Sequence, residues 1–140
     1  MGELIPATVV WVHGNFLGPW SWNDVTEVLA SAQVPAKTIR LPSSTTDGSG
    51  PRGDLYADAT QMRAVLDSLH GPVVLCGHSY GGAVITQAAA GPHPAVRRLV
   101  YLTGAAPDVG ESLTSLACAA EDPTGLLKPP ARPCTCARTA

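Results

Sequence analysis

The stretch Gly77-His78-Ser79-Tyr80-Gly81 places a serine at the centre of a G-x-S-x-G pentapeptide. An apolar run, Pro72-Val73-Val74-Leu75-Cys76, precedes it, and a helix-like run from Gly82 to Ala90 follows. The bare pentapeptide is a weak signal, but strand, sharp turn and helix together are the setting of a nucleophile elbow, where a serine hydroxyl is aimed into a cleft. Attack on an acyl carbonyl throws negative charge onto the carbonyl oxygen, so two N–H donors belong beside such a serine, each worth on the order of 3 kcal/mol of barrier. A second turn, His13-Gly14-Asn15-Phe16-Leu17-Gly18-Pro19-Trp20-Ser21-Trp22, follows the first apolar run and precedes a helix. In elbow-type acyl chemistry one oxyanion donor is the backbone N–H of a turn in this place, here Asn15. The other is the N–H of the residue after the nucleophile, here Tyr80. The plainer reading of Gly14 and Gly18 is a tight turn and nothing more. Trp20, Trp22 and Tyr80 either line an apolar pocket or fill the core.

A serine hydroxyl is a poor nucleophile without an adjacent base. The chain has 4 histidines. His70 precedes the strand that leads to Ser79, so it lies at the opposite sheet edge; His93 follows the next helix, roughly 16 Å along its axis. His78 adjoins Ser79 across a sharp turn that sends its ring elsewhere. His13 is at the correct edge and is the candidate surrogate base, against the plainer reading that it hydrogen-bonds the backbone of its own turn. Asp108 and Glu111 follow the fourth apolar run, which also ends at that edge; Asp108 is the candidate acid, against the plainer reading of a turn-organising loop. Without a histidine to orient, an acid has no role in a triad.

The elements that must position these groups alternate. Ala7–Val12 reads as a buried strand; a helix begins near Ser21 with Asp24 as a weak capping box; its face is Trp22, Val25, Val28, Leu29 and Ala32. A second strand spans Ala36–Leu41, and Pro42 to Gly53 reads as a mobile loop. Asp54 caps a helix carrying Leu55, Ala59, Met62, Val65, Leu66 and Leu69 on one face. Pro72–Cys76 is a third strand, the helix after Ser79 is apolar almost all round and stops at Gly91-Pro92, and Val96–Thr103 is a fourth strand. This order predicts an α/β fold, a doubly wound and mostly parallel sheet of about four strands. Residues 1–112 form the partial core and residues 113–140, rich in proline and cysteine toward their end, an irregular and disordered tail. The Ala, Arg, Pro and Cys of that tail are also what translation past a frameshift in GC-rich DNA produces.

The bulk properties exclude several classes. A net charge of −2 gives no electrostatic case for nucleic acid or an anionic membrane surface, and the apolar runs are strand-sized, too short to cross a bilayer. Met1–Pro6 lacks the basic start of a signal peptide, so a cytoplasmic protein is expected. Of the 4 cysteines, Cys76 reads as a buried thiol, and Cys134-Thr135-Cys136 is too closely spaced for the usual zinc pair, so no metal site is expected.

Together, His13-Gly14, Gly18, Trp20 and Trp22, Gly77-His78-Ser79-Tyr80-Gly81-Gly82, and Tyr101-Leu102 with Pro107–Ser112 resemble the α/β-hydrolase superfamily. The resemblance is greatest to its small serine-esterase and hydroxynitrile-lyase branch. It covers about residues 7–115 in order and spacing, as though the chain were truncated after the strand following the nucleophile helix. It implies a strand order 2-1-3-4, hydrolysis of an ester or related acyl bond of a small molecule, and no cofactor. It also implies a triad in the order Ser, acid, His, yet no histidine follows His93. Three functions are therefore carried forward. One is a fragment or shortened product of a serine esterase, inactive as this chain; another is a minimal hydrolase using His13 or a partner's histidine. The third is a non-catalytic protein that keeps the cleft for a small ligand. Truncation would leave the apolar fourth strand as a sheet edge, so self-association through that edge is expected.

Overall fold

The computed structural model describes residues 6–45 and 53–111, with 113, 114 and 116. Strand β1 (Thr8–Val12) leads through a 3₁₀ turn (Pro19–Trp22) to helix α1 (Asn23–Ser31) and strand β2 (Ala36–Thr38). A second 3₁₀ turn (Pro42–Ser44) precedes helix α2 (Leu55–Asp67), strand β3 (Val73–His78), helix α3 (Tyr80–Ala88) and strand β4 (Val96–Leu102). The four strands form one parallel sheet, as the alternation predicts, in the order β2-β1-β3-β4, as the resemblance implies. The expectation of disorder for 113–140 lies, for all but three of those residues, outside the described part of the chain.

Register brings the two chemical turns together. Val12 pairs with Gly77, so the residues that leave β1 and β3 emerge side by side at the carboxyl edge. A Cβ added to Gly14 would lie 3.0 Å from the Ser79 Cβ and 3.1 Å from the His78 Nδ1. Glycine at 14 is thus the condition for the two turns to meet.

One face of the sheet carries the core. Val10 and Val12 of β1 and Val73 and Leu75 of β3 are fully buried against Met62 and Leu66 of α2 and Val84, Ile85 and Ala88 of α3. Each such side chain contributes about 1.5–3 kcal/mol by leaving water. Helix α3 buries Gly81, Gly82, Ala83, Val84, Ile85 and Ala88, in keeping with its nearly continuous apolar sequence. The Asp54 carboxylate accepts a hydrogen bond from the Ala57 N–H at 2.9 Å and caps α2 as expected.

Four details differ from the sequence expectation. Helix α1 begins at Asn23, without a side-chain cap, because Ser21 Oγ donates to the Gly18 carbonyl at 2.7 Å and closes the 3₁₀ turn instead. No α1 residue is buried, and Val28 is 66% exposed, because α1 packs chiefly on its own 3₁₀ turn and the short β2. Strand β2 pairs only through Thr38; Ile39 N–H still reaches the Trp11 carbonyl at 3.4 Å before Pro42 turns the chain away. Helix α3 ends at Ala88, ahead of Gly91-Pro92. Residues 46–52 of the expected mobile loop lie outside the described residues, and its start is the ordered turn Pro42–Ser44.

Candidate active site

Ser79 joins β3 to α3 at φ 52° and ψ −120°. A non-glycine residue held there carries strain of order 1–3 kcal/mol. The surroundings make the conformation unavoidable. The main-chain carbonyl of Ser79 accepts from Gly82 N–H at 3.0 Å and Ala105 N–H at 3.1 Å, which pins the turn to the helix start and to the loop after β4. A Cβ on Gly77 would collide with the Gly81 carbonyl, and one on Gly82 with the Ala105 carbonyl. The elbow is therefore tight because backbone packs directly on backbone. Ser79 is half-buried, and among the described residues no hydrogen bond engages its hydroxyl.

The partner turn is strained as well. Leu17 N–H donates to the Gly14 carbonyl at 3.3 Å, and Phe16, between them, has φ 63° and is fully exposed. Among the described residues, no main-chain acceptor takes the N–H of Asn15 or the N–H of Tyr80 outside the regular elements. Both candidate oxyanion donors are thus uncommitted, one on each side of the point where Gly14 meets Ser79.

A cavity of about 410 Å³ opens beside this point. Asn15, Trp20, Arg40, Leu41, Ser43 and Tyr80 are among the residues that line it. Ser79 adjoins the cavity through Gly14 and Tyr80 and is not in its lining, a departure from the expected serine on a cleft floor. The aromatic residues divide between the two roles read from the sequence. Trp20 and Tyr80 line the cavity, whereas Trp22 stacks on Trp11 at 4.7 Å between centroids and meets the His78 ring edge-on at 6.2 Å.

His13 and His93 are engaged in hydrogen bonds, and His70 lies away from the site. His13 is fully buried; Nδ1 lies 2.9 Å from the Gly14 carbonyl, which can only accept, so Nδ1 carries the proton. Its Nε2 then accepts from the Leu41 N–H at 3.4 Å. The ring staples β1 to the chain after β2, which is the plainer of its two sequence readings. His93 Nε2 pairs with Asp67 at 3.1 Å, and His70 is exposed just after α2, near the start of β3 and away from its carboxyl edge. Asp108 is exposed in a turn closed by Glu111, whose carboxylate accepts from the Asp108 N–H at 2.7 Å while its N–H donates to the Asp108 carbonyl at 3.0 Å.

Asp58 is the residue that sequence reasoning passed over. It is fully buried on α2, and its carboxylate accepts from the Ser43 N–H (2.8 Å), the Ser43 hydroxyl (2.5 Å) and the Tyr80 hydroxyl (2.7 Å). Three donors compensate a buried charge that would otherwise be very costly. Burial pushes the Tyr80 phenol well above its ordinary range, and the bond to Asp58 pushes it further. Burial also raises the Cys76 thiol, a free cysteine on β3. Asp58 falls three residues after Leu55 and four before Met62, so it lies on the apolar stripe of α2; an acid on that stripe was the available signal.

The comparisons with known proteins give the family. The family model described as the alpha/beta hydrolase family matches residues 9–135, and the chain belongs to that family. It is 36% identical over 118 residues to a carbendazim hydrolyzing esterase of Nocardioides sp. (strain SG-4G), covering 79% of this chain and 47% of that protein. Among solved structures, polyneuridine aldehyde esterase superposes with a TM-score of 0.65 at 27% identity, over 79% of this chain and 45% of that one. An extracellular alpha/beta-hydrolase from a Paenibacillus species reaches a TM-score of 0.70 at 21% identity, over 79% and 46%, a likeness of fold. The chain spans about half the length of the curated relatives it matches.

Proposed function

We propose that this chain is the nucleophile-bearing half of a serine hydrolase that cleaves an ester or related acyl bond of a small molecule. The observation that carries the proposal is the elbow itself: a serine whose hydroxyl is unengaged among the described residues, held at φ 52° at the head of a buried helix, where it meets a glycine turn. Ser79 would attack the acyl carbon, and the N–H groups of Asn15 and Tyr80 would hold the oxyanion. Relatives named as esterases support the ester class. The general base is assigned outside the described residues, since His13 and His93 within them are hydrogen-bonded elsewhere and His70 lies away from the carboxyl edge. Residues 1–140 alone are accordingly expected to be nearly inactive. The unengaged Ser79 hydroxyl also fits the second reading, a non-catalytic cleft that binds a small ligand.

Steady-state hydrolysis of nitrophenyl butyrate tests the proposal. Without an adjacent base the Ser79 hydroxyl is a poor nucleophile and supplies only slow attack. The expected result is a rate barely above background, lowered to background by Ser79→Ala and unchanged by His13→Gln. A rate that Ser79→Ala leaves untouched would remove the nucleophile assignment.

A further inference from the structure

Nothing so far gives a role to Arg40, which stands in the wall of the cavity beside Ser79. It lies two residues after β2, is exposed, and among the described residues forms no ion pair. Among the described residues, no aspartate or glutamate lines the cavity. Asp58, bonded to the lining residues Ser43 and Tyr80, is itself fully buried and outside the lining, and its carboxylate already accepts from three donors. The same network makes the wall rigid. Ser43 is tied to α2 through Asp58, and the Ser44 hydroxyl donates to the Leu41 carbonyl at 2.8 Å. The Leu41 N–H is in turn held by His13. Arg40 therefore adjoins a braced turn and shares with Asn15 and Trp20 the lining of a cavity of about 410 Å³. That volume falls within the ~300–1,000 Å³ usual for small-molecule sites.

We infer that this cavity is the acyl-side subsite and that Arg40 selects substrates carrying a carboxylate, such as the half-ester of a dicarboxylic acid. The inference rests on the proposed ester chemistry for the position of the reacting carbonyl, at Ser79 between Asn15 and Tyr80. A guanidinium offers two parallel N–H donors matched to a carboxylate, in a lining that holds no competing anion among the described residues. The remainder of the acyl chain lies along Trp20, the exposed tryptophan of the cavity, 61% accessible.

Binding can be read without turnover. Trp20 fluorescence of residues 1–140 is titrated with monomethyl succinate, an anion at neutral pH, and with the neutral dimethyl succinate. The monoanion is expected to bind about tenfold more tightly, the ratio that one charge-assisted pair supplies. Arg40→Gln should bring the ratio close to one, Ser79→Ala should preserve it, and Trp20→Phe should remove the signal. Equal affinities for the two ligands, a preference that survives Arg40→Gln, or a signal that survives Trp20→Phe would each overturn the inference. Preference for the monoanion together with an inert Ser79 would leave the subsite standing while the hydrolase reading falls.

Discussion

Ser79 is held in a backbone conformation that a glycine would adopt at little cost, so its side chain is kept against a stability penalty. Ser79→Gly is expected to raise the stability of the chain by about 1 kcal/mol, the strain relieved less the greater unfolded-state entropy of glycine. Ser79→Ala, which keeps the strain, should leave it nearly unchanged. Urea unfolding of the two variants checks this ordering. Asp58 is the second residue whose role is legible from its bonds. Asp58→Ala would leave the Tyr80 hydroxyl and both Ser43 donors without their acceptor, at a cost of about 3 kcal/mol. The contact also has a pH signature. Since the folded Tyr80 phenol titrates above its unfolded value, its contribution is fully present below about pH 10 and is lost as pH rises above that. Cys76 adds a loss of the same sign, setting in above its own ordinary value. Tyr80→Phe should therefore flatten the decline in stability between about pH 9.5 and pH 11, while costing about 1 kcal/mol at neutral pH. At this scale the serine and the glycines around it were readable because their spacing is short and their chemistry local. The Asp58–Ser43–Tyr80 network was not readable, because its members lie 15 and 22 residues apart and only the fold brings them together.

The elements were readable wherever a single period dominated. β1, β3 and α3 are continuous apolar runs bounded by glycine, and they appear close to where those runs lie. The misplacements occur where burial is partial. β2 loses its last three expected residues because Pro42 draws the chain into a 3₁₀ turn, although Ile39 and Leu41 still point into the core. The α1 face read from Val25, Val28 and Leu29 is apolar in sequence, but the described residues bury none of it. The junction between β3 and α3 depends on backbone packing too tight for any side chain. Gly77→Ala and Gly82→Ala would each force a Cβ into a fixed carbonyl, of Gly81 and Ala105 respectively. Each should cost at least ~2 kcal/mol, whereas Gly110→Ala, with no atom within 4 Å of its Cβ position, should pay only the smaller cost of its positive φ. Thermal melts of the three variants separate steric closure at the elbow from a general intolerance of substitution.

For the molecule as a whole, the outstanding feature is the sheet edge. Among the described residues β4 pairs only with β3, and Val100 and Leu102 are 36% and 39% exposed on it. An apolar edge with open N–H and C=O groups is a template for another strand. Residues 1–140 are therefore proposed to self-associate through β4. Light scattering on the eluting protein should give a mass that rises with concentration, and Val100→Lys should shift it toward the monomer. A monodisperse monomer across a tenfold range of concentration would contradict the exposed edge. The central claim, that this half of an α/β hydrolase carries the nucleophile, is tested most directly by mapping where an activated ester leaves its acyl group. After prolonged exposure to nitrophenyl acetate, peptide mass spectrometry should find the acetyl group on Ser79 ahead of every other serine and threonine, with no corresponding adduct in Ser79→Ala. Acetylation spread over exposed hydroxyls and amines while Ser79 remains unmodified would contradict it.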